Sequence, residues 1–148
     1  MRAARCGPMH CDEAFLSQPL LAGIRMVELR NQWIPNPPFY TDAKALGITN
    51  LPELTQMASL TFEDVIVFPS EITNRRLFHA LVHAVQFSVL HFERYTELFF
   101  RGFLRTRSHV SVPLETHAFS LESKFAENPD VPFSVEEMVR LWANQGRY

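Results

Sequence analysis

His79 and His83 stand four residues apart in the run Leu77-Phe78-His79-Ala80-Leu81-Val82-His83-Ala84-Val85-Gln86. On an α-helix that spacing is about 400° of rotation and roughly 6 Å of rise, so both imidazoles leave one face and can reach one ion. The run is strongly apolar, and two unpartnered imidazoles are costly to bury in such surroundings. A zinc ion at about 2.0–2.1 Å from a nitrogen of each ring would satisfy both. Gln86 adds a further polar group to the same helical sector. A third donor is available in Val112-Pro113-Leu114-Glu115-Thr116-His117-Ala118, where Glu115 stands at a helix start beside that helix's core stripe. His79, His83 and Glu115 form a His₂Glu set, which leaves a fourth coordination position for water. Plainer readings stand beside this one. The two histidines also fit as hydrogen-bonded core or solvent-facing residues, and Glu115 as an acid stabilised by the helix macrodipole.

These residues need two helices to carry them, and the hydrophobic pattern supplies both. From about Asn74, Leu77, Phe78, Leu81, Val82, Val85 and Val89 cover most of a helical circumference, the mark of a helix buried nearly all round. A break is expected near Leu90-His91, with a second helix over 92–104, since an uninterrupted 30 residues or so is long for a small domain. Pro113 opens the helix of Glu115, whose stripe is Leu114, Ala118, Leu121 and Phe125. A last helix begins at Ser134, with Ser134 and Glu137 spaced as a capping box, and stops before Gly146. Upstream, residues 60–68 are rich in β-branched and aromatic side chains and read as one strand. Residues 25–29 read either as a short strand or as a helix continuing from Pro19. The proline-rich run 34–40 is an extended loop pinned by Phe39 and Tyr40, followed by short helical pieces at 41–46 and 51–57. The order predicts an α+β fold, a small sheet packed on a buried motif helix and followed by further helices.

In residues 77–87, Phe92-Glu93-Arg94-Tyr95 and Pro113-Leu114-Glu115, the chain resembles a group of short bacterial zinc-peptidase-like domains, the minimal gluzincins. Those read His-Glu-Leu-Val-His-x-x-Gln, then a helix, then Pro-Leu-Glu-x-x-Ala. The resemblance spans roughly residues 17–126 and implies a zincin-like fold with His79, His83 and Glu115 as zinc ligands. It also exposes departures. Ala80 stands where the motif has its general-base Glu. His109 stands near the place of a Tyr common in the family. Phe119 occupies the position of an acid that supports the ligands in larger gluzincins, with Glu122 as a substitute one turn on or as an ordinary surface acid.

A methyl group at residue 80 cannot take a proton from metal-bound water or deliver it to a leaving amine, a service worth about 10²–10⁴-fold in rate. The leading expectation is therefore a zinc-binding metallopeptidase scaffold inactivated at Ala80, by engineering or by nature. The alternatives are a zinc-binding interaction module that holds peptide or protein without hydrolysis, and a metal-free helical structural protein. Val65, Ile66 and Val67 are expected to form the strand edge along which a peptide lies, or simply to be part of the sheet. His109, then Tyr95, Arg94 and His117, are candidates to stabilise an oxyanion.

Composition narrows the rest. The 148 residues suit one domain, expected over 17–148 after a loosely ordered segment 1–16, and 47% hydrophobic content with 13 Phe is ample for a core. A net charge of −2 and a pI near 6.3 provide no electrostatic case for nucleic acid or an anionic membrane. No run approaches the roughly 20 apolar residues of a membrane span. Cys6, His10 and Cys11 form Cys-x₃-His-Cys, half a metal site with no second cysteine pair to complete it. So few cysteines suit the cytoplasm.

Overall fold

The motif helix is the element on which the others pack. In a computed structural model, residues 14–29, 35–49, 51–69 and 71–148 are described; Cys6, His10, Cys11 and Ile34 lie outside them. The described residues hold five α-helices: α1 (Gln18–Gly23), α2 (Tyr40–Ala45), α3 (Asn74–Thr106), α4 (Pro113–Glu127) and α5 (Val135–Asn144). They also hold three strands, β1 (Arg25–Glu28), β2 (Leu60–Phe62) and β3 (Val65–Phe68), and single 3₁₀ turns at Leu54–Gln56 and His109–Ser111. The class is mixed α and β, with the strands before the long helices as the residue pattern implies. None of the described helices is long and apolar enough to cross a membrane.

α3 begins at Thr73, whose side chain accepts from the Arg76 N–H, and it bends sharply at His91, where φ is 63° and ψ 159°. The break expected near Leu90-His91 is therefore a kink between two limbs, 74–90 and 92–106. Every residue from Leu77 to Phe87 is buried, as a helix apolar on all sides requires. α4 and α5 cover it, with Phe78 stacked on Phe125 at 4.3 Å and Phe15 edge-on to both. Ser134 caps α5 through the Glu137 N–H as its spacing predicts.

Three expectations need correction. Residues 60–68 are not one strand: the chain reverses at Glu63-Asp64, with Glu63 at φ 52°, and β2 pairs antiparallel with β3. Two adjacent acids between two apolar runs form a polar turn that the β-rich composition hides. β1 is a strand, parallel to β3, so the sheet order is β1-β3-β2 and β3 is the middle strand. Val65, Ile66 and Val67 are thus paired on both sides and offer no free edge; among the described residues it is β2 that lies at the edge of the sheet beside the motif helix. Finally, Phe15 and Leu16 are buried core residues, and the Phe15 carbonyl accepts from the Val135 N–H, so packed structure starts before residue 17. Tyr40 pins the proline-rich loop by donating to the Pro52 carbonyl, whereas Phe39 is exposed.

Candidate metal centre

The first limb of α3 presents His79 and His83 one turn apart, and α4 brings Glu115 against them from its own first turn. Val112 and Leu114, both fully buried, anchor that turn, and Gln86 Nε2 donates to the Leu114 carbonyl at 2.9 Å. The result is a triangle of donors. Nε2 of His79 and Nε2 of His83 are 3.1 Å apart, and the Glu115 carboxylate lies 3.3 Å from the first and 3.4 Å from the second. Ligands sharing a tetrahedral ion at about 2.0–2.1 Å are about 3.3–3.4 Å from one another. The three sequence candidates therefore form a group that could hold a metal ion.

The second nitrogen of each ring decides which atoms are free to ligate. Glu122, gripped on one oxygen by Arg75 Nε, accepts with the other from His79 Nδ1 at 2.7 Å. Gln86, its amide oriented by the Leu114 carbonyl, turns its oxygen to His83 Nδ1 at 2.9 Å. Both acceptors place the ring proton on Nδ1, so both Nε2 lone pairs face each other and the Glu115 carboxylate. Three acceptors converging in a buried space repel unless a positive charge sits among them. Electrostatics shows the same demand. Burial works against the charged form of Glu115, yet the two histidines hold its carboxyl well below the usual carboxylate range. Burial likewise disfavours charge on His83, but the negative Glu115, together with the acceptor oxygens that it and Gln86 turn to the ring, raises its affinity for a proton.

Compared with protein-family models, curated proteins and solved structures, the chain matches none. Its chemistry has to be read from the site itself.

The donors open into a cleft of about 570 Å³. One wall is β2, tied to the motif helix where Thr61 Oγ1 donates to the Ala80 carbonyl at 3.1 Å. Among the described lining residues Glu115 is the only carboxylate, and it belongs to the donor triangle. Ala80 is buried and brings no proton acceptor. His109 and Tyr95 both line the cleft; Tyr95 stacks on Phe87 at 3.7 Å, its hydroxyl oxygen is 3.3 Å from His83 Nδ1, and burial pushes its pKa up, keeping it a phenol. Arg94 and His117 do not line it: Arg94 is exposed and paired with Glu97, and His117 stacks on Trp142 at 3.9 Å. Neither Val65, Ile66 nor Val67 reaches the cleft.

Glu122 is 2% exposed and is the partner of His79, not a surface acid, while the Phe119 ring sits 4.5 Å from the His79 ring. Arg75 was missed by the sequence reading. Its one signal was a place four residues before His79, on the same helical face.

Proposed function

We propose that this chain is a zinc-binding, metallopeptidase-like domain of the zincin type that holds an extended peptide in the β2-walled cleft and lacks the hydrolytic step. The observation that carries the reading is the triangle of His79, His83 and Glu115, with each imidazole oriented by its own acceptor. Two imidazoles and a carboxylate, with a coordination position left toward a cleft, suit zinc better than magnesium or calcium, which prefer all-oxygen sites. Bound there, zinc would act as a Lewis acid toward a carbonyl and acidify its water. Around it, Glu122 and Gln86 fix the ring orientations, the edge of β2 offers main-chain hydrogen bonds to a peptide, and Tyr95 and His109 present donors to the cleft. Residue 80 has no base to offer, and among the described residues no second carboxylate lines the cleft to replace it. Localisation to the cytoplasm belongs to the same reading.

The test is metal content followed by activity. Purified protein is expected to carry about one zinc per chain, lost in His83→Ala. In Ala80→Glu, peptide hydrolysis should appear at a rate about 10²–10⁴-fold above that of the parent chain. Less than half an equivalent of zinc at neutral pH would sink the metal assignment. A zinc-loaded, folded Ala80→Glu protein without hydrolysis would leave a peptide-binding module with no latent peptidase.

A further inference from the structure

The cleft leaves large apolar side chains in solvent beside polar donors, an arrangement that a folded chain keeps where something binds. At one end Phe62 packs against Phe87 and Phe92 with ring centroids 6.1 and 5.5 Å away, and Phe62 and Phe92 remain 53% and 43% exposed. At the other end stands Arg76, exposed, lining the same cleft, with no ion-pair partner for its guanidinium among the described residues. Arg76 and Phe87 lie on the same straight limb of α3, roughly 16 Å apart along its axis, with His79 and His83 between them. The cleft thus has a cationic end, a metal-binding middle and an aromatic end. Glu115 belongs to the donor triangle, and among the described residues no other acid lines the cleft to neutralise Arg76.

We propose that the cleft selects an extended peptide carrying an acidic side chain, which Arg76 holds, and an aromatic side chain about four to five residues away, which the shelf of Phe62, Phe87 and Phe92 receives. The spacing follows from the rise of an extended chain, about 3.3–3.6 Å per residue, across the distance between the two ends. A guanidinium pairs with a carboxylate in a two-pronged geometry, and aromatic rings favour edge-on and offset contacts with other rings. A peptide fits better than a small aromatic acid because the wall between the two ends is the free edge of β2, whose main-chain groups call for main-chain partners. This specificity rests on the function proposed above.

Zinc-loaded protein, its metal content verified on the same sample, is titrated with acetyl-Asp-Ala-Ala-Ala-Phe-amide and with the reverse order, acetyl-Phe-Ala-Ala-Ala-Asp-amide. Counterparts carry Asn for Asp or Ala for Phe, and laurate serves as a competing apolar acid. One of the two orders should bind about tenfold more tightly than either of its counterparts. Arg76→Gln should abolish the preference for Asp over Asn and keep that for Phe over Ala; Phe62→Ser should do the reverse. Both positions are exposed, so both variants should fold. Zinc-loaded protein that binds all the peptides alike, keeps its preferences in the variants, or takes laurate more tightly than either peptide overturns this specificity and leaves the metal site standing. Absence of zinc overturns the metal reading, and this specificity with it.

Discussion

Glu122 gives one oxygen to Arg75 and the other to His79 Nδ1, and that division of labour sets the protonation of the donor triangle. Removing it leaves the His79 ring free to rotate and to carry its proton on the wrong nitrogen. Glu122→Ala is expected to weaken zinc binding about 10–100-fold, read by competition with a chromophoric chelator. Unchanged affinity would deny Glu122 the orienting role. In the sequence this residue was ambiguous because its place, one turn beyond the expected acid, has meaning only once Arg75 and His79 are known to face it. Ala80, by contrast, was legible at once, because a methyl side chain brings no proton acceptor whatever its tertiary context.

Two backbone positions show how the elements are held in register. Gly102 sits where the second limb of α3 meets the start of α4: a Cβ there would lie 2.9 Å from Val112 Cγ1 and 3.0 Å from Pro113 Cδ. Alanine is favoured over glycine in a helix by about 1 kcal/mol. The clash should win here, because Val112 is fully buried and cannot swing aside, and overpacking costs about 1–3 kcal/mol. Gly102→Ala should therefore lower the Tm and also weaken zinc binding, since the displaced residues lead directly into Glu115. A Tm unchanged or raised would show that the junction has slack. At the kink the expectation is the opposite. His91 occupies backbone angles that only glycine adopts without strain, and its side chain is exposed. His91→Gly should stabilise the protein by about 1 kcal/mol, a Tm gain of about 2–4 °C in thermal unfolding. A loss would mean that the ring itself supports the bend.

Over the whole molecule, folding places one histidine where it resists protonation. His117 packs between Trp142 and Tyr148, its Nδ1 has no hydrogen-bond partner among the described residues, and burial, aided by the charge of Arg147, lowers its pKa to about 4. An unfolded chain protonates this ring near its ordinary value of 6.5. Below that pH the unfolded state binds the extra proton and the native state does not, so stability is complete above pH 6.5 and erodes as the pH falls to about 4. His117→Phe should keep the packing and flatten this part of the Tm–pH curve, measured from pH 7 to 4 with chelator present in both samples. Parallel curves for the two proteins would refute it.

Much of the molecule was determined locally. The shared face of His79 and His83, the capped start of α5 and the all-round burial of the motif helix follow from the twist and rise of a helix and the side chains along it. Tertiary structure decided what depends on distant partners. The middle place of β3 and the free edge of β2 were set when β1 added to the sheet. The meeting of Glu115 with the histidines, and of Glu122 with His79, was set by how α4 packs across α3. Periodicity reports which way a side chain points from its own axis, and only the packing of one axis on another determines what it meets there.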